Sequence, residues 1–480
     1  MGTAAALEAL RAALPSSRFA LRGTEEYETL KNETYLSGLN IDITPLCIVQ
    51  PESVEEVCAF VRAIRPFVQE GQARFAIVAG GRQPARGCSN IEDGFTLHLG
   101  RLKGMEIKEN TVSVAAGELW GPVYDELAKH GLGCSGSRSS KGGIGGLALT
   151  GGLSFFSSRE GFICDDVINY EVVLGSGEVI NANVDENPDL WRALRGGGNN
   201  LGIVTRFDMR TFKQGPMYGG SLYYPGHNFP AQVDALVSEL QKPDADVETH
   251  LMVSLGYTAL FGPDPVGMNQ VYHTGGIEKP DVLQPFTAIE TPFDKLTTLR
   301  MHTLPEASRE QEGDMPKLQR SAYLNLHVKV DSATLKSGAE IWQEALEPVK
   351  GCEGLICSYT LQPYPSSLLQ KSAVKGGNTL GLTPDDGPIM SIALLSYWND
   401  GNDDRKILEA FEGALESIKR DAISKGTALD FTFMNYSAPG QDPIGSYGRE
   451  NKARLQEASK KFDPEGIFQK GVPGGWKLFV

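Results

Sequence analysis

The sequence predicts an α+β fold in which a glycine-punctuated unit of two lobes precedes an antiparallel sheet covered by helices. Three observations predict it. Up to about residue 212, short β-branched and aromatic runs alternate with helical stretches and are interrupted by four glycine turns. Near Thr211-Phe212 the glycine turns thin out, and longer aromatic and β-branched runs separated by polar helices take over. After residue 430 glycine and proline punctuation returns. The chain therefore divides into 1–212, 213–430 and 431–480, the last segment returning to the first unit.

Each element has a local reason. Residues 1–19 form a short amphipathic helix with Glu8 and Arg11 inside it. Cys47-Ile48-Val49 reads as a strand. Ser53 with Glu56 makes a capping box, and Val54, Val57, Val61 and Ile64 give the following helix its apolar stripe. Phe75–Val78 is a second strand, ending in the turn Ala79-Gly80-Gly81-Arg82 that continues through Gln83 to Gly87. Thr96–Leu99 and Thr111–Ala115 are strands, and Glu118–His130 is helix-like. Asn169–Leu174 and Glu178–Ala182, joined by Gly175-Ser176-Gly177, read as a hairpin. Trp191–Leu194 is a helix ended by Gly196-Gly197-Gly198, and Ile203–Met209 is the strand that leaves it. In the second unit Gly220–Tyr224, Leu251–Tyr257, Ser321–Val330 and Ile389–Trp398 read as strands. Ala231–Leu240, Ala333–Val349 and Arg405–Ser424 read as helices, Gly381–Gly387 as an exposed loop, and Glu450–Lys461 as a helix of the last segment.

Composition bounds the function. With 480 residues, 41% hydrophobic and 22% charged, the chain is an ordinary globular protein of two or three domains. A net charge of −15 speaks against nucleic acid and against anionic membrane surfaces. No apolar run approaches the roughly 18–20 residues of a membrane span, and the amino-terminal stretch lacks the plan of a secretory signal, so the expected location is the cytoplasm. Seven cysteines without zinc-type spacing read as buried small hydrophobes, although Cys352 and Cys357 are close enough in sequence to bridge. Asn32-Glu33-Thr34 and Asn435-Tyr436-Ser437 read as chance glycosylation matches. No two of the seven histidines stand at i,i+4, so no metal site is expected. His98 and His327 lie in apolar strands, as core or pocket lining. Tyr272-His273 and Tyr397-Trp398 are either core or cavity wall. No G-x-S-x-G is present, which removes support for an α/β-hydrolase.

The stretch Gly133–Gly152 is the centre of the functional reading. Eight of its twenty residues are glycine, and most of the others are small or hydroxylic. It offers backbone N–H groups and lets a ligand approach the main chain, as phosphate-holding loops do. A flexible linker has the same composition but lacks the apolar frame seen here, a helix before and Leu153–Phe156 after. Gly143-Ile144-Gly145-Gly146-Leu147-Ala148 matches G-x-G-x-x-A, with Asp165 downstream. The match follows a polar loop rather than a strand, and Gly151-Gly152 would spoil the helix, so a nicotinamide Rossmann site is not supported. The turn after Val78, the loop 133–152 and Gly196–Gly202 together suit an extended dinucleotide with several anchor points.

Taken in order, PESVEEVCAFVRAI, VAGGRQPARGCSNIEDG, VAAGELWGPVYDELAKHG, GGIGGLALTGGLSFFSSREGFICDDVINYEVVLGSGEV, NPDLWRALRGGGNNLGIVTRFDM and the carboxyl end from FMNYSAP to FDPEGIF resemble the vanillyl-alcohol-oxidase-type flavoproteins with a PCMH-type FAD-binding domain, in particular the berberine-bridge-enzyme-like branch. The resemblance covers nearly the whole chain. It implies a two-lobed FAD-binding domain, a substrate domain and FAD as cofactor. By resemblance Gly80, Gly81, Arg82 and Gln83, with Gly87 in the same turn, cradle the pyrophosphate. Ser137, Arg138, Ser139, Gly142, Gly143 and Gly146 lie along the flavin side. Gly197, Gly198 and the backbone of Ile203 and Val204 border the adenine and ribose. Plain turn chemistry is the alternative for any single glycine.

The resemblance also implies Tyr436, in the Asn435-Tyr436 pair, as the group over the flavin that takes a substrate proton. A free phenol ionises near pH 10, so it needs a partner such as Arg82 or Arg138 to act near neutrality; an aromatic wall is the other reading. The expected function is FAD-dependent oxidation of a small, natural-product-like organic substrate, with hydride passing to the flavin and O2 as acceptor. Glycine at 142 adds no bulk where bulk hinders oxygen in the family. A flavin-fold isomerase or cyclase without net redox, and a flavin-binding protein without turnover, remain alternatives. Oligomeric state is not legible. Where many family members bind flavin through histidine this chain has Arg82, and where some add a cysteine it has Ser139. FAD is therefore expected to dissociate: acid precipitation should leave a colourless pellet and a yellow supernatant, and a yellow pellet would show a covalent bond.

Overall fold

The computed structural model describes residues 2–291, 293–310 and 319–479. The first sheet contains β1 (Phe19–Leu21), β2 (Cys47–Val49), β3 (Phe75–Val78) and β4 (Phe95–His98), in the order β1-β2-β4-β3. β2 and β3 both run parallel to β4, so the chain must cross over between β2 and β3. The helix Val54–Gln69 is that crossover. Ser53 caps it by accepting the Glu56 N–H, while the Glu56 carboxylate reaches back to the N–H of Glu52, one residue earlier than the expected box partner. Val57, Phe60, Val61, Ile64 and Val68 are its buried stripe, and Val54 is only half-buried. The carboxyl ends of β3 and β4 point toward the loops expected to hold a ligand, as in other parallel sheets.

The second sheet is antiparallel: β5 (Met105–Ile107), β6 (Thr111–Ala115), β8 (Val167–Val173), β9 (Val179–Asn183) and β10 (Ile203–Arg210), in the order β5-β6-β10-β8-β9. Two short strands, β7 (Leu132–Gly133) and β11 (Phe212–Lys213), clip the start of the glycine loop to the chain leaving this sheet. Arg195, fully buried after the helix Pro188–Leu194, donates to the carbonyls of Val167, Lys375 and Gly377 and so ties this lobe to the next unit.

The third sheet has eight strands: β12 (Met217–Pro225), β13 (Thr249–Thr258), β14 (Val266–His273), β15 (Arg300–His302), β16 (Arg320–Lys329), β17 (Ile356–Tyr364), β18 (Ile389–Trp398) and β19 (Ala428–Leu429). All its pairings are antiparallel, in the order β15-β12-β14-β13-β17-β18-β16-β19. Helices Phe229–Leu240, Ser332–Leu346 and Asp404–Ser424 cover one face, where Val253, Tyr359, Ile392, Trp398 and Trp342 are fully buried. Because side chains alternate along a strand, the opposite face receives Met252, Ser254, Thr360, Gln362, Leu395, Tyr397 and Tyr323. Strands β14 and β17 are not foreseen by the sequence reading, because Pro265, Gly267 and Pro363 break their runs. All seven cysteines are free. Among the described residues no helix is long and apolar enough to cross a membrane.

His327 on β16 is buried between the Phe431 carbonyl, 3.1 Å from Nδ1, and the Tyr364 hydroxyl, 3.2 Å from Nε2. Burial pushes its pKa down to about 3, and that of His98 to about 4. Between these values and 6.5 the unfolded chain holds protons that the folded chain refuses, so stability is full above pH 6.5 and falls as pH falls. From pH 7 to pH 5 His327 alone should remove about 2 kcal/mol in urea unfolding. In His327→Gln the slope over that interval should flatten; an unchanged slope would refute the assignment.

Candidate active site

Two glycine loops meet backbone to backbone. A Cβ on Gly80 would lie 2.7 Å from Gly143 N, and one on Gly143 would lie 2.8 Å from Gly80 Cα. A Cβ on Gly145 would lie 2.8 Å from that of Ala79. Gly81 has φ +63°, and a Cβ there would meet the Thr34 carbonyl at 2.3 Å. Arg82 Nε donates to the Lys141 carbonyl at 3.2 Å, a further tie between the loops. The glycine loop is also fixed to the helix Trp120–Lys129: Trp120 N donates to Gly142 O and Gly121 N to Ser140 O. The N–H groups of Gly80, Gly81, Gln83 and Gly143 have no acceptor among the described residues. Gly146 differs from its neighbours, since a Cβ there would meet nothing within 4 Å. Free N–H groups beside an open, side-chain-free surface are the donor set that a pyrophosphate needs.

The turn Met434–Tyr436 brings the second half of the site to these loops. Gln83 Nε2 donates to the carbonyls of Met434 at 3.1 Å and Asn435 at 3.3 Å. Asn435 Oδ1 accepts the Gly152 N–H at 3.2 Å. The Tyr436 hydroxyl accepts from Arg138 Nη2 at 2.6 Å and donates to Gln362 Oε1 at 3.3 Å. Arg138 Nη2 also donates to Gln362 at 3.0 Å, closing a three-residue cycle. A guanidinium at this distance stabilises negative charge on the phenol oxygen. The Tyr323 ring stands edge-on to Tyr436 at 6.1 Å, and its hydroxyl bonds that of Tyr397. Burial raises the pKa of both Tyr323 and Tyr397, while the charge of Arg82 acts to lower them.

The remaining expected residues support this frame. Ser137 Oγ accepts the Ser139 N–H, and it occupies the space that a Cβ on Gly142 would take, at 2.3 Å. Ser139 O accepts the Gly142 N–H. Gly87, at φ +75°, donates to Asn40 Oδ1, and Asn40 Nδ2 gathers the carbonyls of Gln83, Pro84 and Ala85. Gly198 donates to Leu149 O, and a Cβ there would meet Met434 Sδ at 3.2 Å; one on Gly197 would meet the Ala193 carbonyl at 2.4 Å. Ile203 and Val204 are buried in β10, opposite Val173 and Val172. Tyr397 is half-buried on the face opposite the helices, bonded to the Tyr323 hydroxyl, whereas Trp398 points into the helix-covered core and donates to Asp404. Tyr272 and His273 are buried, the latter against Asp246. Gln362, Met252, His250 and Tyr323 are additions. Only strand alternation reveals them: Met252 and Tyr323 lie in the predicted strands Leu251–Tyr257 and Ser321–Val330, His250 just before the first of these, and Gln362 in β17, which the sequence does not mark.

An FAD binding domain family model matches residues 45–183. Over 472 residues, 95% of this chain and 90% of the relative, the chain is 33% identical to the FAD-dependent monooxygenase tpcD of Cochliobolus heterostrophus. Among solved structures it is similar to xylooligosaccharide oxidase from Myceliophthora thermophila C1, with a TM-score of 0.77, 21% identity and coverage of 99% of this chain and 100% of the other. It is also similar to berberine bridge enzyme from Eschscholzia californica, with a TM-score of 0.76, 15% identity and coverage of 98% and 99%. The loop geometry fits FAD, and Gly146 tests the fit. Gly146→Leu should leave apoprotein stability within about 0.5 kcal/mol of wild type and weaken FAD binding about tenfold or more by filling its space. Unchanged affinity in a fluorescence titration would move the cofactor away from this residue. The identity along the full length, the matched domain and the paired loops agree: the chain belongs to the FAD-linked oxidoreductases.

Proposed function

We propose that the protein oxidises a small, partly apolar organic molecule with dissociable FAD, that O2 is the final electron acceptor, and that Tyr436 takes the substrate proton. Bound FAD supplies a two-electron acceptor that O2 can recharge. The observation that carries the reading is the cycle Arg138–Tyr436–Gln362. It fixes the phenol oxygen from two sides and places a permanent positive charge 2.6 Å from it. The Tyr436 hydroxyl donates to Gln362 and so has a defined orientation before substrate arrives; it takes the substrate proton as the phenolate, after its own proton has passed to solvent. The sheet face beneath it supplies uncharged polar groups and aromatic walls, which suit a partly apolar substrate. Arg82 and Ser139 offer no side chain of the kind that bonds flavin covalently, which supports a dissociable cofactor.

The relative tpcD is named a monooxygenase, which supports a second outcome for O2, incorporation of one oxygen atom into product. Peroxide stoichiometry separates the two: one H2O2 per product marks an oxidase, and label from 18O2 in product marks a monooxygenase. The proton role is tested by anaerobic stopped-flow mixing with a substrate found by screening. Tyr436→Phe should retain FAD and slow flavin bleaching by at least about 100-fold. Bleaching at the wild-type rate would remove Tyr436 from the chemistry, and product without bleaching would show a non-redox reaction.

A further inference from the structure

Arg138 is a half-buried cation without a carboxylate partner among the described residues. Its polar contacts are Met252 Sδ at 3.6 Å, Gln362 Oε1 at 3.0 Å and Tyr436 at 2.6 Å, all formally neutral. A partly buried guanidinium without an anion is unfavourable, and a chain with 60 acidic residues has the means to provide one. Nη2 is committed to Gln362 and Tyr436. Nε makes no hydrogen bond among the described residues, and Nη1 makes only the long contact to sulfur.

The neighbouring side chains of the sheet face are neutral as well, and the other charge felt there, that of Arg82 on Tyr323 and Tyr397, is also a cation. His250, two residues before Met252 on the same face of β13, has no hydrogen-bond partner among the described residues, and its ring stands edge-on to Phe155 at 5.6 Å. Burial, with the charge of Arg138 added, holds its pKa well below the ordinary histidine range. It therefore stays neutral and offers one donor and one acceptor. Along the same face Ser254, Thr360 and Ser358 form a hydroxyl chain with links of 3.0 and 2.9 Å. Tyr323, Tyr397 and Tyr436 supply the flat apolar walls.

Resting on the reading of this cleft as the substrate cleft, we propose that the substrate carries a carboxylate on a flat apolar body, with Arg138 as its anchor and His250 as a neighbouring polar contact. A carboxylic acid ionises near pH 4 and brings the missing charge, whereas a phenol, ionising near pH 10, arrives neutral. A carboxylate oxygen can accept from Nη1 or from Nε, which lie on different edges of the guanidinium, so the contact is a single charge-assisted bond and Tyr436 keeps its bond to Nη2.

The test uses FAD-loaded protein and the flavin absorbance change on titration with benzoate, with benzamide and phenol as neutral comparators. Benzoate should give a saturable change, and the comparators should bind at least about tenfold more weakly. Arg138→Met should weaken benzoate about 10–100-fold, Arg138→Lys less, and Tyr436→Phe little. Arg138→Gln, also uncharged, replaces the methionine variant if that one loses FAD. The proposal is overturned by the absence of a saturable benzoate change, by wild-type affinity in Arg138→Met, or by comparators that bind as tightly as benzoate. Benzoate binding is read without turnover, so its failure is separable from failure of the Tyr436 assignment, which is read in bleaching rate.

Discussion

The site depends on the contact between Gly80 and Gly143, where two backbones approach more closely than any Cβ would permit. The contact fixes the end of a parallel strand against the middle of a loop sixty residues away. Beside it the N–H groups of Gly80, Gly81, Gln83 and Gly143 have no acceptor among the described residues, which is unfavourable unless water or a ligand accepts from them. A phosphate would supply such acceptors. The glycines on either side serve other ends. Gly81 accommodates a left-handed backbone against Thr34, Gly142 makes room for Ser137, and Gly136 lies against the Trp120 ring. One glycine-rich composition therefore covers at least three physical roles, and only Gly146 faces open space.

The second organising constraint is the alternation of the eight-stranded sheet. Its helix-covered face is mainly aliphatic and aromatic, with Asn269 bonded to Gln232 of a covering helix as a buried polar exception. Its other face carries amide, hydroxyl, thioether and phenol groups. A one-residue slip of β17 would send Gln362 into the core and Leu361 or Pro363 into the cleft, so register is under strong control wherever the helices pack. Burial on one face thereby sets the geometry of the chemistry on the other.

The elements around glycine turns were legible in the sequence because their signals are local. The helix after Ser53, the hairpin around Gly175-Ser176-Gly177 and the turn after Val78 need only neighbouring residues to be read. The two long strands that were missed, β14 and β17, carry glycine and proline in or beside their runs, and the short strands β1, β5, β7, β11, β15 and β19 are too brief to signal by themselves. Tyr436 and Arg138 were legible as candidates by resemblance. Their bond was not, because it joins residues 298 positions apart. Gln362 had no signal of its own. It is one polar residue in a run whose strand character was hidden, and its meaning comes entirely from what faces it. Gln83 shows the same limit: its side chain holds the carbonyls of Met434 and Asn435, a contact across the chain that the sequence does not signal.

That last connection explains why the carboxyl-terminal segment returns to the first unit. The turn Met434–Tyr436 has little hold of its own. Its position is set by Gln83 from one cofactor loop, by Gly152 from the other, and by Asn325 of β16, whose side chain donates to Phe433 O and accepts from Phe433 N. Farther on, Asn199 and Asn200 hold the carbonyls of Gly474 and Trp476, and Gly474 packs against the Gly87 carbonyl. Each of these bonds joins parts of the chain more than a hundred residues apart, so all are long-range contacts that local structure alone cannot form. The arrangement ties the placement of the Tyr436 hydroxyl to both glycine loops and to the sheet, and it does so through side-chain amides, which carry no charge.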